Sequence, residues 1–155
     1  MTRVAGTPQV TAAPQTTAAQ ATAALQAALA AENAAIFGYG VAGAHLSGSR
    51  QSAATQDWTG HQQARDALAG MISALGATPG AAQAFYQLPF AVTSAATAAA
   101  LAAYLEDGVT RVYLGLVAVS SARLRTYGAM AMQAAAQRAA FWRGSTEAFP
   151  GLASA

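Results

Sequence analysis

The sequence predicts an all-α protein, a four-helix bundle with one long crossover between the second and third helices. This prediction rests on the composition of the chain and on the lengths of its predicted loops. Of the 155 residues, 46 are alanine, the strongest helix former, and only 9% are charged. This length fits one domain. The absence of cysteine excludes a disulfide scaffold, a cysteine-ligated metal centre and a thiol nucleophile.

The N-terminal stretch differs from the rest of the chain. Residues 1–18 are rich in Thr, Ala, Gln and Pro, and they carry too little large apolar surface to offset their ordering entropy. We therefore expect a mobile tail there and the helical bundle over residues 19–155. The tail lacks the compact apolar region of a secretory signal, and no 18-residue run is free of polar or helix-breaking residues. A cytoplasmic protein without a membrane span is expected.

Four segments carry apolar residues at alternating steps of three and four, the spacing of one buried helical face. Ser94 is the expected N-cap of the third helix, and Gly144 is expected to end the fourth. A Ser-Gly-Ser turn ends the first helix. The predicted helices cover residues 19–46, 51–75, 94–119 and 122–143.

The loops predict how these helices are connected. Tight turns join the first helix to the second and the third to the fourth, so each pair is an antiparallel hairpin. Residues 77–93 form a 17-residue connector with two prolines and a glycine, and its Tyr86, Leu88 and Phe90 are expected to cover the bundle or a dimer partner. Extended, it reaches roughly 56 Å, whereas a 26-residue helix is about 39 Å long. The connector can therefore cross the bundle and leave the second and third helices parallel, which is the ferritin-like topology.

A repeated spacing places polar chemistry in the predicted core. Glu32 is followed seven residues later by Tyr39, and Glu106 by Tyr113, so each tyrosine lies on the face of its glutamate. Glu32 falls in the apolar seam of the first helix, where a carboxylate is costly unless it is paired, hydrogen-bonded or metal-bound. The doubled pattern is typical of a pseudo-twofold bundle with a central polar site.

With these features the chain resembles the ferritin-like superfamily and, more narrowly, an actinobacterial ferritin-like domain family of unknown function. In metal-binding members, the first and third helices each give a glutamate, and the resemblance assigns these positions to Glu32 and Glu106. Tyr39 and Tyr113 match the tyrosines that support those ligands. The resemblance covers about residues 20–152. It rests on ALAAENAAIFGYGVAGAHL (28–46), YQLPFAVT (86–93), LEDGV (105–109), AAFWR (139–143) and AFPGL (148–152).

The second and fourth helices depart from the family pattern, in which each gives Glu-x-x-His. The second offers only His61, with Asp57 four residues before it, and the fourth contains no acid and no histidine. A di-iron site needs about six ligating side chains, more than these positions supply. We therefore predict a degenerate site in which Arg138, with Arg65 or His61, replaces the metals and neutralises both glutamates. The predicted polar network is Glu32, Tyr39, His61, Arg65, Glu106, Tyr113 and Arg138.

These residues are compatible with three different functions. The favoured one is a non-enzymatic structural or interaction protein, a homodimer with an ion-paired core and no cofactor. The alternative is a metal-dependent oxidoreductase or metal carrier in which Glu32, His61 and Glu106 bind iron, manganese or zinc. The third is a binder of a small ligand in the space that the metals would fill. Because the net charge of +2 comes without a basic cluster, no nucleic-acid partner is expected.

Overall fold

The structure, a computed structural model, describes residues 13–148 and 150–151, and this part of the chain contains four α-helices and no strand. The prediction of an all-α four-helix fold is confirmed. Residues 1–12 of the predicted tail lie outside the described residues. Residues 13–18 were also expected in the tail, but they begin the first helix, because Ala and Gln favour helix and Pro14 is tolerated in a first turn. The helices are α1 (Ala13–Gly43), α2 (Gly48–Ala74), α3 (Ala95–Val117) and α4 (Ala122–Arg143).

Contacts between side chains establish the directions of the helices. Along α1, Glu32 precedes Tyr39, and their partners on α2 and on α3 come in the reverse order. α1 is therefore antiparallel to both α2 and α3, and those two helices are parallel to each other. Residues 75–94 connect them without a helix, so the predicted long crossover is confirmed. The pairs are Glu32 with His61 and Tyr113, and Tyr39 with Asp57 and Glu106.

The crossover lies against the bundle. The rings of Phe85 and Tyr86 pack on Phe37 of α1, with centroid distances of 5.7 and 5.5 Å. Leu88 is partly buried against a core cluster, whereas Phe90 stays 38% exposed. The expectation that Tyr86 and Leu88 cover the bundle is confirmed, and Phe90 contributes to the wall of a surface cavity instead.

The predicted helix ends agree with the structure at α3 and α4. Ser94 accepts a hydrogen bond from the Thr97 backbone N–H, and the Thr97 hydroxyl accepts one from the Ser94 N–H, which forms a capping box. Gly144 ends α4 with a φ of +77°, a left-handed conformation that glycine adopts without strain. α2 begins at Gly48, three residues before the predicted start, and reaches back to Ser47 as its N-cap.

Polar side chains lie between two apolar clusters of the core. Tyr113 belongs to the cluster built on Leu25 and Leu116, and Tyr39 belongs to the cluster built on Leu101. Both tyrosines donate hydrogen bonds to carboxylates between these clusters. The buried polar or charged residues of the described chain are Glu32, Asn33, His61, Glu106 and Thr110.

One side of the bundle is open. α1 packs against α2 and α3, and α3 packs against α4, whereas the backbones of α2 and α4 lie farther apart over the described residues and are bridged by long side chains. The outer edge of the polar core, at Asp57 and Arg138, therefore lies near the surface between these two helices. None of the described helices combines the length and apolar character that a membrane span needs.

A glycine allows α4 to approach α3 closely, and we expect Gly128→Ala to lower the free energy of unfolding by about 1–2 kcal/mol. A Cβ at this position would lie 2.8 Å from Leu116 Cβ and 3.2 Å from the Tyr113 carbonyl oxygen, so backbone would have to move. The matched control is Gly40→Ala in α1, where no atom lies within 4 Å of the added Cβ. That change should stabilise the helix by about 0.5–1 kcal/mol. Urea denaturation of both variants measures the two effects, and equal stabilities would contradict the close approach.

Candidate functional site

His61 of α2 bridges two glutamates from different helices. Its Nδ1 lies 2.6 Å from Glu32 Oε2, and its Nε2 lies 3.0 Å from Glu106 Oε1. All three residues are at most 1% exposed. A neutral imidazole has one N–H and would point a lone pair at the other carboxylate, whereas the imidazolium donates to both. The positions of the two carboxylates therefore favour the doubly protonated, positively charged form of His61.

The pKa of His61 reflects this arrangement. Burial lowers it, but the hydrogen bonds and negative charges of Glu106 and Glu32 outweigh burial and raise the pKa to about 9. Burial opposes ionisation of Glu106 as well, yet the contacts with His61 and Arg138 hold the pKa of that carboxyl below its usual range. At neutral pH the centre therefore contains a buried imidazolium beside a buried carboxylate.

Arg138 of α4 supplies a second cation to the same site. Its Nε donates a hydrogen bond of 2.8 Å to Glu106 Oε1. Burial lowers the pKa of Arg138, but the adjacent Glu106 carboxylate outweighs burial and raises it. Glu106 Oε1 thus accepts bonds from three side chains, while its buried Oε2 has no hydrogen-bond partner among the described residues.

Each tyrosine of the repeated motif binds the glutamate of the other helix. Tyr113 donates to Glu32 Oε1 at 2.6 Å, and Tyr39 donates to Glu106 Oε1 at 2.7 Å. This exchange follows from the antiparallel packing of α1 and α3. Burial and the nearby carboxylates raise the pKa of both tyrosines, so both hydroxyls stay protonated donors.

Asp57 extends the site toward the surface. Its Oδ2 accepts a hydrogen bond from Trp142 Nε1 at 2.8 Å and lies 3.2 Å from the Tyr39 hydroxyl, whose single proton points to the closer Glu106. Its Oδ1 lies 4.0 Å from Arg138 Nε. Burial raises the pKa of Asp57. Asp57 and Trp142 belong to the network, although neither was predicted there. The position of Asp57, one turn before His61 on α2, was the signal that could have found it.

The predicted role of Arg65 is wrong. Its guanidinium pairs with the neighbouring Asp66, with 2.8 Å between Nη2 and Oδ1, and its side chain is 37% exposed. Arg65 follows His61 by four residues, and that step rotates a helical position by about 40°, here toward solvent. His61, the other candidate, takes the role beside Arg138. The structure thus brings together six of the predicted residues: Glu32, Tyr39, His61, Glu106, Tyr113 and Arg138.

The same six residues lie within the part of the chain that is similar to known proteins. Residues 24–154 match a protein family described as a domain of unknown function, DUF4439. The chain belongs to this family. A solved structure of a conserved hypothetical protein from Mycobacterium tuberculosis, rv2844, is 34% identical, with a TM-score of 0.79 over 81% of this chain and 96% of that one. No curated protein matches the chain.

In this member of the family the network reaches the surface through a cleft between α2 and α4. The cleft has a volume of about 430 Å³, and Asp57 and Arg138 form part of its wall. Their side chains are 17% and 28% exposed, unlike the fully enclosed Glu106. Solvent therefore contacts the outer part of the network and not its centre.

Proposed function

We propose that this protein is a metal-independent, non-catalytic bundle of the ferritin-like superfamily, with a structural or interaction role. The parallel α2 and α3, their long crossover and the paired glutamates of α1 and α3 support the superfamily assignment. The proposal that the bundle is metal-independent and non-catalytic rests on one observation. His61 lies between the two glutamates with a ring nitrogen directed at each.

Two cations offset the charges of the two glutamates without a metal, and Asp57 adds a third carboxylate at the outer edge of the network. The negative charges of Glu32 and Glu106 face two cations, the imidazolium of His61 and the guanidinium of Arg138. A metal ion between the glutamates would have to displace the imidazolium from both carboxylates. Within the described residues, no group of three or more His, Asp or Glu side chains is arranged to hold a metal ion. This donor set does not fit a pair of metals, which needs about six ligating side chains.

The network joins all four helices. Each helix supplies two of its side chains, so a change in the register of any helix would leave a buried charge or hydroxyl unpaired. Removing one partner of a buried ion pair costs about 3–5 kcal/mol, a large penalty against alternative packings of an alanine-rich chain. We infer that the network specifies one register. Its members are Glu32 and Tyr39 on α1, Asp57 and His61 on α2, Glu106 and Tyr113 on α3, and Arg138 and Trp142 on α4.

The interaction role that we propose is homodimerisation. Large apolar side chains on the outer surfaces of α3, α4 and the crossover stay well exposed, including Phe85 at 68%, Met130 at 67% and Tyr104 at 55%. Aromatic side chains and methionine are enriched at protein–protein interfaces, which supports this role. No step of catalysis is assigned to the buried network, because its centre is closed to substrate.

Native mass spectrometry of protein purified without a chelator tests both parts of this proposal. We expect a species of twice 15.5 kDa that carries no iron, manganese or zinc. Treatment with a chelator should change the midpoint of thermal unfolding by less than about 1 °C, because no bound metal contributes to stability. One or two metals per chain together with a chelator-sensitive midpoint would contradict the metal-independent network. A monomeric mass would contradict the homodimer alone.

A further inference from the structure

On the open side of the bundle, two charged side chains, Asp57 and Arg138, have atoms that form no hydrogen bond with any described residue. The cleft between α2 and α4, called the α2–α4 cleft from here on, is lined on the α2 side by Gln56 and Asp57. Its α4 side is lined by Gln137, Arg138 and Phe141. Its volume of about 430 Å³ falls in the range of about 300–1,000 Å³ typical of small-molecule sites. Phe141 is 57% exposed and forms an apolar wall.

Arg138 uses only its Nε atom to bind the network. Its Nε is fixed by Glu106 at 2.8 Å, and its terminal Nη1 and Nη2 groups form no hydrogen bond with any described residue. A guanidinium fixed in this way is suited to hold a carboxylate through two parallel hydrogen bonds.

Asp57 presents the complementary charge in the same cleft. Its Oδ2 faces Trp142 and Tyr39, whereas Oδ1 accepts no hydrogen bond within the described part of the chain. Oδ1 is also not one of the buried unpartnered atoms, so it is accessible to solvent. The 4.0 Å between Oδ1 and Arg138 Nε is too long for a hydrogen bond.

We propose that the α2–α4 cleft binds an α-amino acid with an apolar side chain. Its carboxylate would face the Nη groups of Arg138 and the amide of Gln137, its ammonium would face Asp57 Oδ1, and its side chain would lie on Phe141. A ligand that is only anionic would be repelled by Asp57, and one that is only cationic would be repelled by Arg138. A zwitterion satisfies both charges. The site shares two residues with the network, Arg138, which Glu106 positions, and Asp57, which Trp142 positions.

Calorimetric titration with L-phenylalanine tests this site. We expect saturable binding that weakens at least about tenfold for 3-phenylpropionate, which lacks the ammonium, and for phenethylamine, which lacks the carboxylate. Equal binding of 3-phenylpropionate would replace the zwitterion site with a simple anion site. The absence of saturable binding by L-phenylalanine would also overturn the proposal.

Two exposed positions allow the site to be changed without removing a hydrogen bond of the buried network. Phe141 also packs on Trp142, with ring centroids 5.0 Å apart, so Gln137 gives the cleaner test. Gln137→Ala and Phe141→Ala should each weaken L-phenylalanine binding at least about threefold. Gln133→Ala is the matched control, because Gln133 lies one turn earlier on α4 and lines a different cavity. Unchanged affinity in both test variants would place any binding elsewhere. The ring ¹⁵N signals of His61 on the same samples report the buried network separately, so the two proposals can fail independently.

Discussion

Glu32→Ala is expected to reduce the free energy of unfolding by about 3–5 kcal/mol. The substitution removes the carboxylate that accepts from His61 Nδ1 and from the Tyr113 hydroxyl, and both donors are buried. The imidazolium would then have one counter-ion in place of two, and the tyrosine hydroxyl would have no acceptor there. Urea denaturation at neutral pH measures the loss.

The chain provides a matched control on its surface. Glu147 also forms an ion pair, with Arg143, but its side chain is 44% exposed. Water screens that pair, so Glu147→Ala should change the free energy of unfolding by less than about 1 kcal/mol. Equal effects of the two substitutions would contradict the buried pairing of Glu32 with His61.

The stability of the protein is expected to fall as the pH rises from about 6.5 to about 9. The pKa of His61 is about 9 in the folded protein against 6.5 for the free side chain, so folding favours the protonated ring. The stabilisation from the protonated ring is fully present below the unfolded pKa of 6.5, and it is lost as the pH rises past the folded pKa of about 9. It corresponds to a loss on the order of 3 kcal/mol. The raised pKa values of Tyr39 and Tyr113 act above the free tyrosine value of 10.0, outside this window.

Two histidine variants separate this effect from other titrating groups. His61→Gln should be less stable than the wild type and should lose most of the pH dependence in this window. His45 is exposed near the end of α1, so His45→Gln should keep the wild-type slope. Denaturation series across the window give both slopes. A slope in His61→Gln as steep as in the wild type would assign the dependence to another group.

The fold could be predicted because loop length and apolar spacing determine it. The 17-residue connector between helices that are otherwise joined by tight turns implied a parallel α2 and α3. The capping residue Ser94 and the terminator Gly144 act within one turn of chain, so their roles are visible locally. The start of α1 was misplaced because an alanine-rich stretch without large apolar groups can be helical as well as mobile.

The site was predictable where a residue's helix face decides its position. Glu32 and Glu106 lie in buried faces, and their doubled spacing to tyrosine indicated a shared centre. The prediction for Arg65 was wrong because a rotation of about 40° from His61 is enough to bring a long side chain to solvent. The pairing of Asp57 with Trp142 depends on the separation of two helices that are distant in sequence, which no local pattern specifies.

The proposed network depends above all on a protonated His61 that bridges Glu32 and Glu106. A ¹⁵N-resolved NMR spectrum of the histidine rings at neutral pH tests it most directly. We expect protonated Nδ1 and Nε2 in the His61 ring, with hydrogen-bonded protons protected from exchange and signals that do not change when a chelator or zinc is added. A ring with one protonated nitrogen, or signals that shift when a metal is added or removed, would contradict it.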